Sequence, residues 1–259
     1  MEPLKPDFDP EEFKTAAPES LSSIPLAFKD GSFFMSFSPI YLEGSESNPI
    51  KIISSDGSAR GFTIIDAKDR SKIENTIFKG FNTLSYKGWN LTGAVSFYQS
   101  DVDIYNTQFL ENSCEDGLNI IRSDFSMQNS KIEDAFADGF DADFCEGVIS
   151  NSTFKNTGND CIDFSGSIVH IANINIIKSG DKGISGGERS TLTIENIEIV
   201  GAITGVASKD QSIITGTSVT VNDAEYGFAA FQKKGEYAPA SIDLKESQWN
   251  RVQTLQLID

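Results

Sequence analysis

One interval recurs along the sequence and constrains the fold more than any other feature. A small residue recurs every 22 residues, at Gly117, Gly139, Cys161, Gly183, Gly205 and Gly227. Each of these anchor residues is followed directly by an apolar residue, such as Leu118 or Phe140. Self-similarity at a fixed period is typical of repeat proteins, in which each unit packs only against its neighbours. The interval therefore predicts a solenoid of stacked units.

Within each unit, apolar and polar residues alternate and then end in a polar turn. Segments 102–106, 125–129, 169–173 and 192–196 follow this pattern, and each ends in asparagine. Alternation with period two indicates a β-strand with one buried face, whereas a helix would show a period near 3.6. Asparagine tolerates the left-handed turn conformation, and stacked copies can bond to each other. We therefore predict an all-β parallel β-helix of about 8 to 10 coils, with 22 or 23 residues per coil.

The two ends of the chain differ in regularity. Residues 1–35 are rich in proline and are predicted to form an irregular N-terminal segment and cap, because an open solenoid end exposes unpaired strand edges. Residues 36–259 are predicted to form one β-helix domain. Residues 80–92 interrupt the repeat and are predicted to be a loop inserted into one coil.

Composition limits the classes of partner. The formal net charge is −17 over 259 residues, which argues against nucleic acid because phosphate binding depends on basic patches. No run of about 18 apolar residues is present, so insertion into a membrane is not expected. No signal peptide is visible at the N-terminus. The three cysteines lack a C-x-x-C spacing, so neither a disulfide framework nor a zinc site is predicted.

Stacking brings distant acidic residues together, since neighbouring strands lie about 4.8 Å apart. The positions before the anchors form stack I, which is Asp116, Asp138, Asp160 and Lys182. The positions two residues after the anchors form stack II, which is Asn119, Asp141, Asp163 and Ser185, and its side chains are predicted to point outward. Asp143 and Arg122 lie close by.

Carboxylates crowded in this way repel each other. Either the pKa of some of them rises, or the group holds a cation, or the side chains move apart into solvent. The first outcome provides general acids, and the second provides a calcium site of oxygen ligands. The alternative is that aspartate is a turn residue and the stacks face water. Asp138 and Asp160 are expected about 5 Å apart, and Asp116 and Asp160 about 10 Å apart, which brackets the retaining and inverting geometries of glycosidases. The stereochemistry stays open.

At these positions the sequence resembles the pectin-lyase-like superfamily of right-handed β-helices and, more narrowly, the polygalacturonase group of glycoside hydrolases. That group carries Asn-Thr-Asp, Asp-Asp, Gly-His-Gly and Arg-Ile-Lys on successive coils. The corresponding residues here are Ala137-Asp138, Asn159-Asp160, Asp181-Lys182-Gly183 and Ala207-Ser208-Lys209, so the histidine and the arginine are replaced. The resemblance implies a right-handed coil, a polysaccharide substrate, and Asp138 and Asp160 as catalytic residues.

The same superfamily includes polysaccharide lyases, in which calcium neutralises a uronate carboxylate and a lysine or arginine removes the C5 proton. By this resemblance Lys182 is the candidate base, and Arg122, Asp181 and Lys209 are candidate substrate-binding residues. Calcium is the implied cofactor, with Asp116, Asp141, Asp143 and Asp163 as its candidate ligands. The alternative for Lys182 is a charge partner of the acidic stack.

Three function classes remain open. The first is a carbohydrate-active enzyme, either a glycoside hydrolase or a polysaccharide lyase, whose glycan is expected to contain uronate. The second is a non-catalytic cell-surface module that binds glycan or calcium, and the third is a structural β-helix domain. An extracellular or cell-surface location is expected, for a monomer or a domain of a larger protein. Trp89, Tyr98 and Tyr105 are the nearest aromatic residues for stacking on sugars.

Overall fold

A computed structural model describes residues 25–258, in which all regular structure is β-strand. The strands are β1 (Leu26–Phe28), β2 (Phe34–Ser36), β3 (Tyr41–Glu43), β4 (Ile50–Ser54), β5 (Phe62–Ile65), β6 (Ser71–Glu74), β7 (Thr76–Lys79), β8 (Leu84–Tyr86), β9 (Trp89–Leu91), β10 (Gly93–Tyr98), β11 (Val102–Tyr105), β12 (Gln108–Leu110), β13 (Asp116–Ile121), β14 (Asp124–Gln128), β15 (Lys131–Glu133), β16 (Asp138–Asp143), β17 (Glu146–Thr157), β18 (Ile162–Ser165), β19 (Ile168–Ser179), β20 (Lys182–Gly187), β21 (Thr191–Lys209), β22 (Ile213–Phe231), β23 (Ser241–Lys245) and β24 (Gln248–Ile258). No helix in this range is long and apolar enough to cross a membrane.

The strands stack in parallel into three columns, and the chain visits each column once per coil. In the column that carries the anchors, Val95 pairs with Leu118, Leu118 with Phe140, and Phe140 with Ile162. We call it column A; it contains β2, β5, β10, β13, β16, β18, β20 and the C-terminal parts of β21, β22 and β24. Column B begins at β3 and column C at β1. The predicted parallel β-helix is confirmed, with about nine turns.

The core consists of the inward residues of all three columns. Leu118, Phe140 and Ile162 are fully buried, and their partners in the neighbouring coils are also buried. Phenylalanine rings contact along the axis, for example Phe78 on Phe109 at 5.4 Å and Phe140 on Phe164 at 5.8 Å between centroids. Burying one such side chain stabilises the fold by about 1.5–3 kcal/mol. A single coil has no second layer to bury its rings against, so the stack supplies the core.

Left-handed residues turn the chain between columns. The repeated asparagines at 75, 106, 129, 151, 173 and 196 all have positive φ. Asn106 donates from Nδ2 to Asn75 Oδ1 at 2.6 Å, and Asn196 donates to Asn173 Oδ1 at 3.1 Å. The turn role predicted for these asparagines is therefore observed, together with side-chain bonding between these two pairs.

The predicted insertion is a two-stranded antiparallel hairpin made of β8 and β9. It lies in the coil before β10, where the paired residues Phe62 and Val95 are separated by 33 positions instead of 22 or 23. Its apolar residues Leu84 and Leu91 pack with Ile65. Of the predicted N-terminal segment, residues 1–24 lie outside the described residues. In the remainder, β1 pairs with β4 and β2 with β5.

Candidate functional site

Column A brings the members of stack I into contact. Asp116 pairs in register with Asp138. The Asp160 backbone N–H donates to Asp138 Oδ1 at 2.8 Å, and the Lys182 N–H donates to Asp160 Oδ1 at 3.0 Å. Each acid therefore accepts or faces a group from the neighbouring coil, and the predicted juxtaposition is present.

The anchor glycines are the reason that these coils approach so closely. A Cβ atom on Gly139 would lie 2.6 Å from the Cys161 carbonyl oxygen, and one on Gly183 would lie 2.6 Å from the Gly205 oxygen. Neither separation is tolerated by a real side chain, because it is well inside van der Waals contact. The small residues that reveal the repeat thus also position the acidic stack beside them.

Asp160 is a buried acid with a lysine beside it. It is 2% exposed, and Lys182 Nζ lies 3.4 Å from its Oδ1. Burial raises the pKa of Asp160 to about 6, although the Lys182 charge opposes the shift. Burial lowers the pKa of Lys182, but the charges of Asp160 and Asp181 outweigh burial and leave that pKa raised. Lys182 is therefore placed as a charged partner of the stack, the alternative raised for it from the sequence.

Asp138 is held by the following coil. Its Oδ1 accepts from the Asp160 N–H and also from Asn159 Nδ2, the latter at 2.7 Å. Burial raises the pKa of Asp138, and the two hydrogen bonds oppose that rise by favouring the carboxylate. The carboxyl group is thereby fixed in orientation directly beside Asp160.

Asp116 and Asn119 carry buried oxygens that have no hydrogen-bond partner among the described residues. They are 3% and 1% exposed, and the atoms concerned are Asp116 Oδ2 and Asn119 Oδ1. Burial raises the pKa of Asp116 to about 7, and the charges of Asp138 and Glu115 add to the effect. Unpaired buried acceptors are rare in native proteins and call for an explanation.

The members of stack II, on column A, differ in exposure: Asp141 and Asp163 are partly exposed, whereas Asn119 and Ser185 are buried. Asn119 donates from Nδ2 to Asp141 Oδ2 at 2.8 Å, and Lys209 Nζ lies 3.5 Å from Asp163 Oδ1. Burial raises the pKa of Asp141 well above its usual range, and the Asp143 charge raises it further. Burial likewise raises the pKa of Asp143, with the Asp163 charge as the next cause. Lys209, a candidate for substrate binding, is buried and paired with Asp163.

The four predicted calcium ligands lie on this face and supply the oxygen donors that calcium prefers. No group of three or more His, Cys, Asp or Glu side chains within residues 25–258 converges in metal-ligand geometry. The unpartnered oxygens of Asp116 and Asn119, one coil from Asp141, nevertheless fit a cation chemically. Calcium therefore stays a prediction.

Two exposed aromatic side chains on the acidic coils were missed by the sequence analysis. Phe136 and Phe144 flank β16 and are 75% and 58% exposed. The Arg122 guanidinium lies 5.5 Å from the centroid of the Phe144 ring. A usable signal was present, because Phe144 stands 22 residues after Arg122, at a turn position that is polar at Gln99, Arg122, Glu188 and Asp210. Of the aromatics proposed from the sequence, Trp89 and Tyr98 contact each other at the hairpin.

A family of known proteins and several solved structures are similar to this chain. The profile described as "Right handed beta helix region" matches residues 92–239, more than half of the chain. The catalytic domain of a GH87 alpha-1,3-glucanase, solved as an aspartate variant in complex with tetrasaccharides, is 13% identical with a TM-score of 0.51. The match covers 90% of this chain and 60% of that domain.

An alginate lyase from Paenibacillus sp. strain FPU-7 is 14% identical with a TM-score of 0.51, and the match covers 90% of both chains. No curated protein sequence gives a significant match. At these identities the structural likeness establishes the fold, whereas the profile match establishes the family. The chain therefore belongs to the right-handed β-helix family, and the resemblance to pectin-lyase-like proteins is confirmed as one of fold.

Proposed function

We propose that this protein binds a polysaccharide over column A and hydrolyses a glycosidic bond with Asp160 and Asp138. The observation that carries the proposal is this pair of carboxyl groups on adjacent coils. Asp160 is buried with a pKa raised to about 6, while Asp138 is held by two N–H donors that favour its charged form. Neighbouring carboxyl groups whose environments separate their roles are the arrangement that glycosidases use.

In this mechanism Asp160 donates its proton to the leaving glycosidic oxygen. Asp138 lies one coil away, about 5 Å, which is the spacing of retaining glycosidases. Its carboxylate therefore attacks the anomeric carbon as the bond to the leaving oxygen breaks, and the Asp160 carboxylate then takes the proton of the water that hydrolyses the resulting ester. Lys182 stays charged, and its positive charge limits the rise in the pKa of Asp160, so that the acid can still release its proton to the leaving oxygen. Activation of water by Asp138 as a general base is the alternative if the carboxyl groups stand farther apart, and NMR of the first-formed product anomer distinguishes the two routes.

A uronate-containing polysaccharide is the proposed substrate class, and two observations support it. Polysaccharide-directed names occur among the structural relatives, one for an α-1,3-glucan and one for alginate. Lys182 and Lys209 are paired with Asp160 and Asp163, which leaves Arg122 as the exposed cation that favours a uronate-containing chain. A secreted or cell-surface setting, where such polymers occur, is part of the proposal.

A substrate screen tests the proposal. The protein is incubated with neutral α- and β-glucans, alginate and polygalacturonate at pH 5 to 6, where Asp160 is partly protonated. New reducing ends without new absorbance near 235 nm are expected for hydrolysis, because a lyase would create an unsaturated uronate. Absorbance that rises with the reducing ends would replace hydrolysis by elimination. Binding without either signal would support the non-catalytic module.

We also propose that calcium binds beside the pair, with Asp116, Asn119 and Asp141 as the first ligands and Asp143 and Asp163 close by. The unpartnered oxygens of Asp116 and Asn119 support this, since a cation would satisfy both and would offset the repulsion within the stacks. Calcium held there would neutralise charge on the face that receives an anionic sugar.

Addition of millimolar calcium to protein stripped with EDTA is expected to raise the melting temperature by several degrees, because an ion that binds only the native state stabilises it. Differential scanning calorimetry at pH 7.5 checks this. Asp116→Asn is expected to remove most of the shift, whereas Asp124→Asn, an exposed residue of column B, is expected to keep it. An unchanged melting temperature in the wild type would overturn the calcium proposal.

A further inference from the structure

We infer that Phe144, supported by Arg122, is a subsite on which one sugar ring of the bound glycan stacks. The inference rests on the proposed function and adds a specific binding residue to it. Among the non-glycine residues with positive φ in residues 25–258, Phe144 alone has an apolar side chain.

The conformation of Phe144 is unfavourable for its residue type. Its φ is +56°, in the left-handed region that asparagine, aspartate and glycine occupy at little expense and bulky residues rarely adopt. The ring also stays 58% exposed, so burial does not offset the strain. Strain that brings no packing gain is a recognised mark of a functional position.

Residues of the two neighbouring coils contact the Phe144 ring or leave space for it. In the next coil the equivalent residue is Gly166, and a Cβ atom there would lie 2.7 Å from Phe144 Cδ1. In the preceding coil the Arg122 guanidinium lies 5.5 Å from the ring centroid. The Phe144 N–H donates to the Ser165 carbonyl oxygen at 2.8 Å, which fixes the backbone. The ring is thus held in a set orientation while much of its surface faces solvent.

The Phe144 ring, which we call the platform, lies at the end of the strand that carries members of stacks I and II. Phe144 directly follows Asp143, the last residue of β16, and Asp138 begins the same strand. Phe144 lies six positions after Asp138 along an extended strand, which corresponds to about 20 Å. A glycan that crosses column A from the Asp138–Asp160 pair would therefore reach Phe144 with a sugar several units from the cleaved bond.

Phe144 and Arg122 together offer the contacts that a pyranose ring can make. The C–H face of a sugar is apolar and packs on an aromatic ring, while the groups around its edge are hydrogen-bond acceptors and donors. Arg122 has no salt-bridge partner within residues 25–258, so its planar N–H groups can donate to a hydroxyl or a carboxylate of the stacked sugar.

The test uses Phe144→Asn in an Asp160→Asn background, so that the glycan is bound without being cleaved. The probe is a series of oligosaccharides, from dimer to octamer, prepared from whichever polysaccharide the wild type binds. Isothermal titration calorimetry is expected to show about tenfold weaker binding of the long members and unchanged binding of the dimer. Asparagine suits positive φ, so the melting temperature is expected to rise by several degrees even as binding falls.

Gln99→Asn is the matched control, because Gln99 occupies the same turn two coils earlier with φ of +49° and is exposed. This substitution is expected to raise the melting temperature without weakening the binding of the long oligosaccharides. Full binding by Phe144→Asn would overturn the platform and leave the proposed function standing. Failure of the wild type to bind any glycan in the substrate screen would overturn both.

Substitutions of Arg122 test whether the stacked sugar is neutral or anionic. If the stacked sugar is a uronate, Arg122→Gln is expected to weaken binding about tenfold at low salt and less at high salt, because a charged pair is screened. If it is neutral, Arg122→Gln and Arg122→Lys are expected to behave alike and independently of salt. Either result shows whether the stacked sugar carries a carboxylate. Binding as tight as wild type by Arg122→Gln, at both low and high salt, would remove Arg122 from the subsite.

Discussion

Asp160→Asn is expected to lower the rate of glycosidic-bond cleavage by a factor of about 10²–10⁴, because it removes the proton that the leaving oxygen receives. The change is nearly isosteric, and Lys182 keeps its contact with Asp181. Reducing-end release on the substrate found in the screen gives the rate. The loss is expected to fall on kcat, with KM little altered, since the proton is transferred only in the transition state.

Two further variants make the result specific. Asp138→Asn is expected to cause a loss of similar size, and activated substrates with good leaving groups should partly rescue Asp160→Asn but not Asp138→Asn. Asp124→Asn, which changes an exposed acid of column B, is expected to retain full activity. If Asp160→Asn kept most of the wild-type rate, Asp160 would not be the general acid, and Asp116, whose pKa is also raised, would become the candidate for that role.

Asp116→Asn is expected to stabilise the protein at pH 8 and to flatten its pH dependence. Burial raises the pKa of Asp116 from 3.8 to about 7, so the folded state holds a proton that the unfolded state has released between these values. Stability therefore falls as pH rises from about 4 to about 7. A shift of this size corresponds to roughly 4 kcal/mol of the free energy of unfolding, as an order of magnitude.

Urea unfolding in EDTA at pH 5 and pH 8 measures the effect. The wild type is expected to unfold at a lower urea midpoint at pH 8, and Asp116→Asn to have a smaller difference between the two midpoints. Asp124→Asn provides the control, because an exposed carboxylate keeps its hydration in both states. A wild-type midpoint that rises with pH would contradict the sign of the effect, and an Asp116→Asn profile identical to wild type would assign it to other acids.

Much of the fold was predictable because a β-helix repeats its local rules. The interval of 22 residues, the alternation of Phe125 or Val169 with polar neighbours, and the turn asparagines each reflect a requirement imposed once per coil. The insertion near 80–92 was visible as an interruption of the period, but its hairpin form depends on the packing of Leu84 and Leu91 on Ile65. That contact joins residues far apart along the coil, which no local pattern reports.

For the candidate site, register alone was enough to align Asp116, Asp138, Asp160 and Lys182. It was not enough to assign their states. The pairing of Lys182 with Asp160, the second N–H donor to Asp138 from Asn159 and the burial of Asp116 all depend on side-chain conformations and on the local exclusion of water. These decide which carboxyl groups hold protons, because desolvation and neighbouring charges set the pKa.

The sequence by itself determined the solenoid, the length of its coil and the column in which its acids meet, since these follow from periodicity and from the space that glycine leaves. Only the tertiary structure decided that Lys209 is neutralised by Asp163 and that the buried oxygens of Asp116, Asn119 and Ser185 have no hydrogen-bond partner among the described residues. It also decided that Phe144 stands exposed in a left-handed turn between Arg122 and Gly166. The physical reason is that period is a property of the chain, whereas burial, charge pairing and exposure belong to contacts between coils.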